Sequence, residues 1–236
     1  MKIMTLKDAK KFWLVGVGVL LAISLQFYIS LFPFARKLFI PANVFEIIWF
    51  LSSALVLVAF KIISDVVRDK KIFTYSLLSF IMHYGWKILR IPIRYLVFGK
   101  PLLPNSPTLS LWKDLFFELF PSWALEFLAF YFLLLALTKI SVALKEQRFK
   151  QGGILKFVSV IIFIVTDVAG MARAFILYNS SKKLSSLAFG KILSSFNFIA
   201  ALLTTISLVL LFLAFLHIDT LPSDAETSEN SLWRSV

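Results

Sequence analysis

The chain alternates between long apolar runs and short clusters of charge. From residue 12 to 35 no side chain is charged, and the same pattern recurs along the sequence. A helix that crosses a bilayer needs about 20 predominantly apolar residues at a rise of about 1.5 Å each. The runs predict a bundle of six transmembrane helices at residues 12–34, 42–63, 72–98, 123–138, 154–178 and 192–218. The first is too long for the apolar core of a signal peptide, which spans about 7–15 residues, so it reads as a retained signal-anchor.

Two stretches break this rhythm. Residues 99–121 hold Pro101, Pro104, Pro107 and Pro121. Within them Leu111, Leu115, Phe116 and Leu119 recur at helical spacing, which predicts an interfacial or re-entrant helix at 109–120 with Trp112 at headgroup depth. From residue 219 the chain turns polar and acidic, predicting a disordered cytoplasmic tail at 219–236 beside a single polytopic domain at 1–218. No internal repeat is apparent, so the repeat logic of secondary transporters gains no support.

Composition sharpens the class. Hydrophobic residues make up 59% of the 236 and charged residues only 16%, where soluble domains carry about 25% charge. An all-α integral membrane protein is the expectation. The chain has no cysteine, which excludes disulfides, thiolate nucleophiles and Fe–S clusters. His83 and His217 are its two histidines, too few for a four-histidine haem bundle. No cofactor or metal is expected.

The excess of cations sets the orientation. With the N-terminus inside, thirteen lysines and arginines face the cytoplasm: Lys2, Lys7, Lys10 and Lys11, then Lys61, Arg68, Lys70 and Lys71, then Lys139, Lys145, Arg148, Lys150 and Lys156. Eight face the other side. Both termini are therefore expected in the cytoplasm, with the protein in the cell membrane. The formal net charge of +12 suits anionic headgroups as partners.

The candidate chemistry lies in charges inside the apolar runs. His83, Lys87, Arg90 and Arg94 stand at i, i+4, i+7 and i+11, one side of a helix. A cation at mid-bilayer costs at least about 2.5–3.5 kcal/mol, so such a stripe needs water, protein or a ligand opposite it. The alternative is a helix end with snorkelling arginines and a bend at Pro92. Glu46, Glu126 and Asp167 offer opposite charge. Asp167 is expected near the midplane, paired with Lys87 or Arg90, while Arg173 points elsewhere on its helix. Thr166, Gly170 and Ala174 form a small-residue stripe for close helix packing, which would put the fifth span at the centre of the bundle.

Enzymatic signatures such as HExxH, GxSxG or a phosphate-binding loop do not occur in the chain, so a non-enzymatic role is expected. The stripe points to a transport or translocation component with a cation-lined pathway for an anionic solute or polyanion, nucleic acid entering only as cargo. A non-catalytic subunit of a larger membrane assembly is the alternative, with its charges bound to neighbouring subunits. A lipid-acting enzyme using Asp167 or His83 as base is the weaker third.

Overall fold

The computed structural model describes residues 4–29, 42–98, 120–179 and 186–218. They form helices throughout: α1 (Leu6–Ile29), α2 (Ala42–Val67), α3 (Lys70–Phe98), α4 (Phe120–Ala143), α5 (Gln147–Asn179) and α6 (Ser186–Leu216). Each overlaps one predicted run. The helices outlast the apolar runs, because once the core anchors a helix its polar ends, such as Gln147 to Lys150, continue the backbone hydrogen bonding. α3 continues past Pro92 to Phe98. The predicted 109–120 helix, except Phe120, and the 219–236 tail lie outside the described residues.

Four helices hold segments long and apolar enough to cross a membrane: Val44–Val67, Phe120–Ala143, Gln147–Arg173 and Ile192–Leu216. The shortest has 24 residues, about 36 Å of helix against an apolar bilayer thickness of about 30 Å. Their outer faces expose Ile47, Leu51, Val58, Val142, Val165 and Phe198 among others. In water so continuous an apolar surface would be a liability. The fold is consistent with a helical integral membrane protein.

The helices form a ring in chain order, each packed on its two sequence neighbours, with α6 returning to α1. All neighbours are antiparallel. In α1 and α6, Trp13 Nε1 donates to Leu211 O at 3.0 Å, while Ser24 and Thr205 hydroxyls meet at 2.8 Å. In α5 and α6, Ser207 donates to Gly152 O and Thr166 to Asn197 Oδ1, each at 2.7 Å. In a ring no helix is central; α5 packs on α4 and α6 and reaches α1 where Phe149 meets Trp13.

Two tight hairpins join helices at the same end. Arg68 and Lys145 adopt left-handed φ values of 59° and 52°, which stop α2 and α4. The acid that follows each starts the next helix: Asp69 Oδ1 accepts from Lys71 N at 3.0 Å and Glu146 Oε1 from Arg148 N at 3.1 Å. The start of α1 and the end of α6 meet at this end too, where Lys10 Nζ donates to Leu216 O at 2.9 Å. We call it the hairpin end.

The ring carries a threefold internal repeat that the sequence reading missed. Ala59-Phe60 and Ile63 on α2 recur as Ala136-Leu137 and Ile140 on α4, and as Ala214-Phe215 on α6 with Ile218 just past its end. The separations are 77 and 78 residues, and all nine side chains are buried. The first two copies extend through their turns, with Ser64, Arg68, Asp69, Lys71 and Ile72 matched by Ser141, Lys145, Glu146, Arg148 and Phe149. The signal is diluted because many intervening positions lie on exposed outer faces, where any apolar residue serves.

The buried layer at this end is aromatic. Trp13 packs against Phe60, Phe149 and Phe215 with ring centroids 5.1, 5.7 and 4.7 Å away. Gly16 lets α1 approach α2 closely: a Cβ there would lie 2.7 Å from Val56 Cγ2 and 2.8 Å from Ser52 O. Gly152 does the same against Leu211 of α6 at 2.9 Å. At Gly170, in the expected packing stripe, a Cβ would meet Leu193 at an ordinary 3.8 Å. Gly16→Ala should therefore destabilise the protein by about 1–3 kcal/mol and Gly170→Ala by no more than about 0.5 kcal/mol, compared by thermal unfolding in detergent.

Candidate functional site

Away from the hairpin end the packing loosens and the ring encloses space. A cavity of about 880 Å³ lies between α2, α3, α4 and α5. Its charged or titratable lining is Glu46, His83, Lys87, Glu126 and Lys156, set among aromatic residues including Trp49, Phe50, Tyr84 and Phe130. A second, apolar cavity of about 130 Å³ adjoins it nearer the hairpin end. The two share Trp49, His83, Tyr84, Phe130 and Lys156 as walls.

Helical rise orders these groups by depth. Counted along their helices from the hairpin end at about 1.5 Å per residue, Lys156 lies about 14 Å in and His83 about 20 Å. Lys87 and Glu126 follow at about 25 Å, then Asp167 and Glu46 at about 30 Å. Lysine thus marks the neck of the cavity, Lys87 and Glu126 share one level, and the two remaining acids lie farthest out.

Lys156 is the deepest cation, and the sequence reading had set it in the cytoplasmic loop. It lies instead in the third turn of α5. Its ammonium donates to Thr204 Oγ1 at 3.3 Å and stands 5.0 Å from the centroid of Phe130. Thr204 donates to Ser159 Oγ at 2.9 Å, and Ser159 donates back to Lys156 O at 2.7 Å. This closed chain of hydroxyls fixes the lysine while leaving its remaining N–H donors for the cavity. Its signal was present in the sequence: Lys156, Val160, Phe163 and Asp167 repeat the i, i+4, i+7, i+11 spacing of the α3 stripe.

Lys87 is exposed to the cavity, with its ammonium 5.8 Å from the Tyr84 ring centroid. Tyr84 is held by donating to Ser53 Oγ at 2.7 Å, which pins α3 to α2. His83 Nδ1 lies 4.0 Å from Glu126 Oε1. Glu126 is within electrostatic reach of Lys87, Lys156 and Asp167. Among the described residues no carboxylate comes within 4.0 Å of either lysine.

The predicted residues are thus partly gathered. His83, Lys87, Glu126 and Glu46 share the cavity. Asp167 lies on the same face of α5 as Lys156, Val160 and Phe163, about one turn past the middle of the helix, and is exposed. It takes a side-chain hydrogen bond from Trp123 of α4; of its two expected partners, Lys87 has no carboxylate within 4.0 Å among the described residues, and the side chain of Arg90 lies outside them. Arg173 is half-buried further along α5. The side chains of Arg90, Arg94 and Ala174 lie outside the described set. Thr166 is buried against Asn197. Among the described residues no three histidines or carboxylates gather in a way that could hold a metal ion.

The fold is a ring of helices, four of them long and apolar enough to cross a membrane, around a partly open cavity lined by charged residues. In comparisons with known proteins the chain matches no family model, no curated protein and no solved structure.

The hydroxyl chain carries its own prediction. Thr204→Val keeps the shape of the side chain and removes the acceptor for Lys156. It should leave helix packing intact, lower stability by about 1–3 kcal/mol and free the ammonium. The checks are thermal unfolding and the rate at which an amine-reactive reagent modifies Lys156, which should rise.

Proposed function

We propose that the protein is a transport or translocation component of the cell membrane that admits an anionic solute into the chamber between α2 and α5. All six helices span the bilayer in this reading, and both termini are cytoplasmic at the hairpin end. The supporting observation is the pair of lysines, Lys156 and Lys87, that face one cavity without a carboxylate in contact. A buried cation lacking a direct counter-ion is costly, and an incoming anion relieves that cost. Glu126, level with Lys87 in depth, competes with the ligand and keeps binding from becoming too tight for release. The packed aromatic layer closes the hairpin end, so this conformation would load from the far side.

The chain's lack of cysteine makes topology directly testable. Lys70→Cys and Lys150→Cys should resist a membrane-impermeant maleimide in intact cells and react after lysis, while Pro104→Cys reacts at once. Labelling of only one of the first pair would mean that α3 and α4 do not both cross.

Function is tested with purified protein in lipid vesicles, by uptake of inorganic phosphate and of small monocarboxylates. Uptake should exceed that of empty vesicles. Lys156→Gln and Lys87→Gln should each cut the initial rate at least about tenfold, the loss of one charge-assisted contact of about 1.5–3 kcal/mol. Vesicles no more permeable than empty ones would favour the subunit reading, in which exposed Asp167 contacts a neighbouring chain.

A further inference from the structure

We infer that the preferred ligand of the chamber is a single-chain anionic amphiphile, with its headgroup at Lys156 and Lys87 and its apolar end in the adjoining slot. The inference rests on the anion-binding reading above and narrows it to a substrate class.

The slot is the part of the chamber that a purely polar solute leaves unexplained. It lies on the axis of the threefold repeat, where Ser53, Phe130 and Leu208 occupy equivalent positions, as do Val56, Leu133 and Leu211 a turn deeper. Trp13, Phe60 and Leu137 close it toward the hairpin end. Its walls are overwhelmingly apolar, and its volume of about 130 Å³ is close to that of an engineered cavity of about 150 Å³ that takes up benzene. Water gains few hydrogen bonds there. Two acyl chains do not fit; one alkyl segment or one ring does.

Lys156 stands where slot and chamber meet and lines both. A group inserted in the slot therefore leaves its polar end beside that ammonium, with Lys87 about two helical turns' rise, some 11 Å, farther along the depth scale. Carboxylate, sulfonate and phosphate heads share this chemistry. A head that carries two negative charges gains more from two lysines lining one chamber than a singly charged head does, which favours phosphate. Trp49 borders both spaces, so an occupant of either changes the surroundings of an indole.

The test is a homologous series. Full-length protein in nanodiscs is titrated with methyl, butyl, hexyl and octyl phosphate by calorimetry, with Trp fluorescence as a second readout. Affinity should rise about fourfold for each methylene that enters the slot and level off once the slot is full. Leu133→Phe, which fills the slot, should flatten that rise, and Leu208→Phe serves as its independent replicate, with melting curves checking the fold of both. Lys156→Gln should weaken every member of the series. Equal affinity across the series, all of it lost in Lys156→Gln, would overturn the amphiphile and leave the anion site standing. A rise undiminished in both slot-filling variants would mean that the chains partition into lipid, which overturns it as well. Failure of every phosphate to bind would remove the anion-binding reading and this inference together.

Discussion

Trp13 inside its cage of Phe60, Phe149 and Phe215 is the contact on which the ring depends. Between helices already in lipid, hiding one apolar face from another gains little, so association falls to close packing and a few hydrogen bonds. Edge-to-face aromatic contacts supply attraction with defined geometry. They draw α1, α2, α5 and α6 to one point, while Gly16 and Gly152 remove the side-chain bulk that would hold the backbones apart. The indole N–H, which would be costly to leave unpaired in such surroundings, donates to Leu211 O. With one end consolidated in this way, the other half of the ring is free to stand apart around a chamber.

That division of labour explains where charge is tolerated. The hairpin end places its charges at the ends of helices, as caps: Lys10 on α6, and Asp69 and Glu146 at the starts of α3 and α5. Lys61 and Asp65 pair one turn apart on the surface of α2. Farther in, charged groups meet in the cavity, where their remaining polar partners are hydroxyls and aromatic faces. Lys156 shows how a cation is held in such a place: a threonine and a serine orient it, and the ring of Phe130 lies under it.

The helices were legible because long apolar runs announce them: each of the six runs overlaps one helix, and four helices also have the length and hydropathy to cross a membrane. The ends were less legible, since helix formation continues through polar residues once packing anchors it. The α3 stripe was readable at His83 and Lys87, whose spacing carried them to one face. Lys156 was missed because a charge close to a loop is indistinguishable, by position alone, from a topology signal. Asp167 stands farther along its helix than the apolar run suggests, because α5 starts at Gln147, among polar residues. Its partner Trp123 comes from another helix, and no periodicity within one segment reports that. The repeat hid because only its inward positions are constrained.

The same ring has an unusual property as a piece of connectivity. α1 and α6 meet where the other two copies of the repeat are joined by a turn, so the start of the first helix and the end of the last occupy the third equivalent corner. The contacts around the circle are indifferent to which corner is left uncovered. A circular permutant that bridges α6 to α1 with a short turn and opens the chain at Arg68-Asp69 would contain the same six packed pairs in the same order. The protein is, in its packing, a closed cycle that the polypeptide happens to traverse from one of three interchangeable starting points.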